Sequence, residues 1–252
     1  MASVLWMDLT AEELRSKAAK DAVVVLPVAS IEQHGPHLPV GVDTVLCGGV
    51  CKAAAELAGD VEVVVAPTLW CGMAEHHMAF GGTFTFDIPT YRAVLLAFLK
   101  SIERHGFHRV LIVNGHGGNI AALTAFLPDF ARETRLHVEA TTYFLLAQEA
   151  LGPLLDDQPG VMHACEVETS MMLVLAPGCL REDRLPEAFG MKDADQGALM
   201  RPTVARYRSF RDMTETGVIG DARRATLEKG KACLDACAQT LAGLIREMGK
   251  GI

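Results

Sequence analysis

Short runs of β-branched and aliphatic residues alternate along the chain with longer stretches whose apolar residues recur at helical spacing. The short runs are Val23 to Val28, Val61 to Ala66, Arg109 to Val113 and His137 to Tyr143. Between them lie Thr44 to Ala58, Thr90 to His105 and Ile120 to Thr134, each long enough for a crossover helix joining parallel strands. The unbroken sequence Val23-Val24-Val25-Leu26 predicts burial on both strand faces, as in a parallel sheet covered by helices on either side. The pattern therefore predicts an α/β fold, a three-layer α/β/α sandwich with a mostly parallel central sheet. Asp43 and Asn119 are candidate caps for the first and third helices, and Pro89 suits the opening turn of the second.

Past the fourth run, Glu166 to Leu175 reads as a helix, Thr203 to Phe210 as an extended segment and Ala222 to Met248 as a long amphipathic helix. Gly152 to Gly160 and Asp183 to Met200 read as loops. Without an internal repeat, a low-complexity tract or a recognisable linker, residues 1–252 are expected to form a single domain.

Composition narrows the functional classes. Half of the residues are hydrophobic and 21% are charged, the balance of a globular chain. A net charge of −8 with no Lys/Arg cluster argues against nucleic acid as a partner and favours a small molecule. No apolar stretch approaches the roughly 18 residues of a membrane span, and the first residues carry no signal-peptide pattern, so the expected location is cytoplasmic. The seven cysteines are odd in number, and Cys47, Cys51, Cys233 and Cys237 lie in apolar segments, which suits reduced core thiols.

Candidate chemistry gathers after two strands. The first is followed by Ser30-Ile31-Glu32-Gln33-His34-Gly35-Pro36-His37 and then Asp43 at a helix start. Alternate side chains of an extended segment share a face, so Glu32 and His34 can point at one ion while Asp43 approaches from the helix. The third strand is followed by Asn114-Gly115-His116-Gly117-Gly118-Asn119, at the carboxyl edge where open α/β sheets bind ligands. Carboxylates and imidazoles without thiolates suit Zn, Mn or Fe(II) in a catalytic site. Taken singly, His34, His37 and His116 read equally as hydrogen-bonding loop residues. The Asn114 to Asn119 turn also offers a second reading, a nucleotide- or metal-binding α/β domain without catalysis, although it lacks phosphate-loop spacing and a Walker-type lysine.

These segments resemble the creatininase family, whose pattern includes Glu-x-His-Gly-x-His, a downstream Asp, an Asn-Gly-His turn and a late Glu-Thr-Ser. Gly72 to Thr83 and Thr214 to Asp221 are similar to two further family segments. The resemblance implies a three-layer sandwich, a homohexamer, and hydrolysis of a carbon–nitrogen bond in a cyclic or linear amide or formamide. It implies two divalent metals, with Glu32 and His116 on one, His34 on the other and Asp43 bridging. Gly117 and Gly118 stand where the founding enzyme has a Tyr-Glu pair, and Glu168 is expected to supply the second-site carboxylate. His163 corresponds to the proton-shuttling histidine, and Glu75 and His77, with Gly117 and Gly118, are expected to line the substrate pocket. Pro159 and Ala74 replace a Trp and a Ser of the founding enzyme's pocket, which implies a roomier cavity and an amide other than creatinine. Such an ion lowers the pKa of bound water from ~16 to roughly 7, so that hydroxide attacks a polarised carbonyl, while His163 delivers a proton to the leaving nitrogen.

Overall fold

The computed structural model describes residues 3–156, 158, 160–190, 204 and 206–251. Strands β1 (Val23–Val28), β2 (Val63–Val65), β3 (Arg109–Asn114) and β4 (His137–Thr142) form a parallel sheet in the order β2-β1-β3-β4. The helices are α1 (Ala11–Ala19), α2 (Val42–Leu57), α3 (Ile88–Arg104), α4 (Ile120–Glu133), α5 (Tyr143–Leu146), α6 (Gln148–Leu151), α7 (Glu166–Leu175), α8 (Phe210–Met213) and α9 (Leu227–Lys250).

Every residue of β1 is buried, as its unbroken apolar sequence requires. Val23 and Val25, with Leu111 and Val113 of β3, pack against Leu46 and Val50 of α2, Met171 of α7 and Leu241 of α9. Val24 and Leu26, with Val110 and Ile112, pack on the other face against Tyr91, Leu95 and Leu99 of α3 and Phe126 and Phe130 of α4. The predicted three-layer sandwich is thus built by the two-residue period of the strands sorting side chains between two helix layers. No helix among the described residues is long and apolar enough to cross a membrane.

One proline explains a local departure. The β1–β2 ladder stops after the Ala66 N–H donates to the Val25 carbonyl at 2.8 Å, because Pro27, next along β1 on the side facing β2, has no N–H to donate. Pairing resumes beyond it, where the Leu69 N–H donates to the Pro27 carbonyl at 2.9 Å. Pro27 lies inside a central strand, but its missing N–H faces β2, so the pairing of β1 with β3 continues past it.

The predicted caps need correction. α2 starts at Val42 behind Gly41, and Asp43 lies within the first turn, where its side chain caps nothing and turns towards the site described below. Asn119 precedes α4 without a capping bond, because its side chain joins three other segments. The second helix behaves as expected: Asp87 accepts from the Thr90 N–H, and Pro89 sits in the opening turn. The C-terminal pattern splits into a 3-10 turn at Ala222–Arg224 and α9, which is capped by Thr226. Of the two predicted loops, Gly152–Leu154 and Glu182–Glu187 form 3-10 turns, and β5 (Phe189–Gly190) pairs antiparallel with β6 (Gly220–Asp221). Thr203, Ala205 and residues 191–200 of the predicted extended and loop segments lie outside the described residues, and Phe210 belongs to α8.

The chain passes outward from β1 to β2 and then returns to β3 on the opposite flank of β1. At such a switch point the loops leaving the two central strands diverge and open a crevice at the carboxyl edge. Behind it, α7 and α9 are held in close contact. A Cβ on Gly230 of α9 would lie 1.9 Å from the Ser170 carbonyl oxygen of α7, whereas a Cβ on Gly243 meets nothing within 4 Å. Gly243→Ala is expected to stabilise by about 0.5–1 kcal/mol through helix propensity. Gly230→Ala is expected to destabilise by about 1–3 kcal/mol through overpacking. Urea unfolding of the two variants checks the opposite signs.

Candidate metal centre

Four pieces of chain bring carboxylates and imidazoles into the crevice. The extended loop after β1 supplies Glu32 and His34 and is held by the Glu32 N–H donating to the Val40 carbonyl at 3.0 Å. The first turn of α2 adds Asp43, the turn after β3 adds His116, and the first turn of α7 adds Glu168. His163 lies just before α7 and is pinned by reciprocal backbone bonds with Ile219. Glu32, His34, Asp43, His116 and Glu168 are all buried.

The distances are short. His116 Nδ1 lies 3.0 Å from Glu32 Oε2 and 3.1 Å from Asp43 Oδ2. His34 Nε2 lies 3.1 Å from Asp43 Oδ1 and 3.8 Å from Glu168 Oε1. Asp43 therefore reaches both imidazoles, one through each carboxylate oxygen.

The opposite nitrogen of each ring fixes which atom faces the carboxylates. His116 Nε2 is 3.1 Å from the Met73 carbonyl and His34 Nδ1 is 3.1 Å from the Glu32 carbonyl. A carbonyl only accepts, so both of these nitrogens carry protons, and the other nitrogens, which face the carboxylates, are the ones a cation can take in exchange for a proton. Glu32 Oε2, His34 Nε2 and Asp43 Oδ2 are buried without a hydrogen-bond partner, and ligand atoms of Glu32, His34 and Asp43 lie within 4.8 Å of one another. Unpaired buried polar atoms on this scale are costly unless a cation joins them. Backbone carbonyls holding the far nitrogens are the usual outer support of metal-bound histidine. The residues fit a divalent metal centre.

The electrostatics agree. Burial alone would push both imidazoles down, yet Asp43 and Glu168 hold His34 well above its ordinary range, and Glu32 and Asp43 hold His116 up to about 10. Burial raises Glu32 against the pull of His116, whereas for Asp43 the neighbouring His34 and His116 outweigh burial and keep the carboxylate ionised. The carboxylates thus hold positive charge at the nitrogens that face them, the position a cation would take.

Gln33 organises the neighbouring histidines, a role the sequence reading missed because a two-residue period turns it away from Glu32 and His34. Its Oε1 accepts from the Gly35 N–H at 2.9 Å and its Nε2 donates to the Gly217 carbonyl at 3.1 Å, which fixes the amide orientation. The remaining N–H faces His77 Nδ1 at 3.1 Å, so the His77 proton sits on Nε2 and points at Glu32 Oε1, 3.2 Å away. His163 Nε2 donates to the Gln33 main-chain carbonyl at 2.7 Å, leaving Nδ1 as an acceptor 3.7 Å from Glu32. Burial first, and then the charge of His34, hold His163 well below the ordinary imidazole range, so it is neutral. Gly217 is required here: it has φ +83°, and a Cβ would lie 2.0 Å from Gln33 Oε1.

A cavity of about 700 Å³ opens onto the centre and is lined by Glu75, His77, Gly117 and Gly118 as expected, and also by His76 and Phe210, which the sequence reading passed over. Phe210 packs 4.0 Å from His77 and 4.7 Å from His163 between ring centroids, and His76 stacks on His116. Glu75 is exposed at the rim, whereas His77 is buried with its polar atoms engaged by Glu32 and Gln33. His37 lies away from the centre, bonded to Thr169 at 2.8 Å. A Cβ on Gly118 would sit 2.3 Å from the Met73 carbonyl and 2.4 Å from His116 Nε2, so the bond that orients His116 excludes a side chain there. Pro159 lies outside the described residues. The Asn114 to Asn119 turn is closed on itself: the Asn114 side chain accepts from the His116 N–H and donates to its carbonyl, leaving a poor cradle for phosphate.

An α/β/α sandwich whose central switch point holds buried carboxylates and oriented imidazoles suits a metal-dependent hydrolase. The creatininase family profile, described as creatinine amidohydrolase, matches residues 7–245, and the chain belongs to that family. Creatinine amidohydrolase of Pseudomonas putida is 29% identical, with 97% of each chain covered. Mycofactocin precursor peptide peptidase of Mycolicibacterium smegmatis is 29% identical over 83% of this chain and 78% of that protein. A creatininase crystal structure superposes with a TM-score of 0.79 at 26% identity over 100% of both chains. A manganese form of creatininase gives 0.78 at 27% identity, covering 98% of this chain and 99% of that one. The protein is a metal-dependent amidohydrolase acting on carbon–nitrogen bonds.

Replacing Gln33 by Leu removes the donor to His77 Nδ1 and frees the Gly217 carbonyl. In zinc-loaded protein labelled with ¹⁵N-histidine, wild type is expected to show His77 as a single Nε2–H tautomer and Gln33→Leu a mixture. An unchanged His77 spectrum would contradict the assigned hydrogen bonding.

Proposed function

We propose that Glu32 and His116 hold one divalent ion, His34 and Glu168 a second, and Asp43 bridges the two, with His163 as general base and acid in hydrolysis of a small-molecule amide. The observation that carries this reading is the convergence of Glu32 Oε2, His34 Nε2 and Asp43 Oδ2, buried and unpartnered, beside imidazoles oriented by backbone carbonyls. Zn or Mn is the reading for the metal, since solved creatininases with a TM-score of 0.78 to this chain include a manganese and a Zn–Zn form.

When bound, a divalent ion supplies Lewis acidity that polarises the amide carbonyl and acidifies water. The chain's own residues supply the rest. His163 is neutral and exposes Nδ1 as acceptor while the Gln33 carbonyl anchors Nε2–H, so it can take a proton from water and return it to the leaving nitrogen. His77 donates to Glu32 and so fixes that carboxylate's orientation. Phe210, packed over His77 and His163, keeps bulk water from both rings.

The substrate reading is an amide larger than creatinine. A cavity of about 700 Å³ suits a ligand well above the size of a single small ring, and Gly117 and Gly118 add no side-chain bulk to its wall.

Asp43→Ala is expected to lose metal and activity together, read by elemental analysis per chain. His163→Ala is expected to keep its metal and lose about 100- to 10,000-fold in turnover. Full metal retention in the first variant, or metal loss in the second, overturns these assignments. Metal entry must also displace protons. Because His116 holds its proton up to about 10 and His34 is likewise raised, metal added at pH 8 is expected to release protons, with affinity rising towards pH 10. Calorimetry in buffers of different ionisation enthalpy measures both.

A further inference from the structure

Arg201 to Arg211 reads Arg-Pro-Thr-Val-Ala-Arg-Tyr-Arg-Ser-Phe-Arg, a stretch rich in arginine and free of carboxylates in a chain of net charge −8. Arg206, Tyr207, Arg208 and Phe210 form one wall of the cavity that contains the metal centre. Arg206 and Arg208 are alternate residues of a segment without helical structure, both reach the cavity and both are exposed. Neither guanidinium has an ion pair or hydrogen bond among the described residues.

Nearby arginines are spent within the protein. Arg211 lies 4.3 Å over the Phe80 ring and donates to the Glu215 carbonyl, Arg184 pairs with Glu187 at 2.7 Å, and Arg223 pairs with Asp221 at 2.8 Å. The cavity's own carboxylates divide similarly: Glu32, Asp43 and Glu168 are buried among the imidazoles, leaving Glu75 as the acidic group at the rim.

We propose that Arg206 and Arg208 form a second subsite that takes a carboxylate or phosphate group carried by the substrate apart from its scissile amide. The proposal rests on the metal centre being the site of hydrolysis. Guanidinium groups bind such oxyanions through paired N–H donors, a geometry that neither Tyr207 nor the rim backbone offers. An acidic protein repels anionic ligands at long range, so it needs local positive charge at the cavity to admit one. Two arginines on one wall, neither paired among the described residues, supply it and set the distance between the anionic group and the amide.

The test uses inorganic phosphate and, separately, glutarate as probes, titrated calorimetrically into metal-loaded wild type, the double variant R206Q/R208Q, and the metal-free variant D43A. Wild type is expected to bind at least one probe, more weakly as sodium chloride is raised. R206Q/R208Q, with metal content and melting temperature unchanged, is expected to bind it about ten-fold or more weakly. D43A is expected to retain the arginine-dependent part. Arginine dependence for phosphate alone assigns a phosphate ester, for glutarate alone a carboxylate, and for both a general oxyanion subsite. No binding to wild type, or equal binding by wild type and R206Q/R208Q, overturns the proposal. If D43A keeps its metal, the metal assignment fails instead, and the comparison of wild type with R206Q/R208Q still decides the role of the arginines.

Discussion

The constraint on which this structure turns is the burial of Glu32, Asp43 and Glu168 in one small volume. Carboxylates taken out of water at close range are tolerated only where positive charge and directed donors replace the lost hydration. Four imidazoles perform that function here, and they do so unequally. His34 and His116 are held by carbonyls so that their other nitrogens face the acids, while His77 presents a proton and His163 presents a lone pair. The distinction between rings that face a cation and rings that manage protons is imposed by backbone acceptors and one glutamine.

Those backbone acceptors can be placed only because of the sheet order. β1 and β3 are neighbours whose following loops part in opposite directions, so the Glu32 carbonyl comes from one loop while the Asn119 side chain, reaching the Met73 N–H and the Ala29 carbonyl, ties the other loop to it. The close approach at Gly72, where a Cβ would lie 2.4 Å from Asn119 Oδ1, and at Gly118 lets these loops interlock without side chains between them. The site is thus framed chiefly by main-chain and amide contacts, with the titratable groups inserted into that frame.

This division explains what the sequence alone could reveal. The strands and crossover helices were legible because a buried parallel strand is apolar along its whole length and a covering helix repeats at 3.6 residues, and both signals are local. Glu32, His34, Asp43, His116, Glu168 and His163 were legible as ligand-type residues placed after strands or at a helix start, once read against a family pattern. The tautomers were not, since they depend on the Met73 carbonyl and on Gln33, which lie far away in sequence or on the wrong side of a period-2 count. Asp43 and Asn119 were misread as caps because helix-start preference is a local rule, and here the side chains are drawn off by contacts the rule does not see. Phe210 looked like the end of an extended stretch, and only the packing of α8 shows it covering the histidines.

The proposed ligands come from the loop after β1, the first turn of α2, the turn after β3 and the first turn of α7, so they span much of the chain's length. An ion held by all of them would act as a removable cross-link, added to the packing and hydrogen bonds that already join these segments. Because it binds the folded arrangement and no unfolded one, free metal concentration becomes part of the protein's folding equilibrium. Metal supply would then govern the lifetime of the molecule as well as its chemistry.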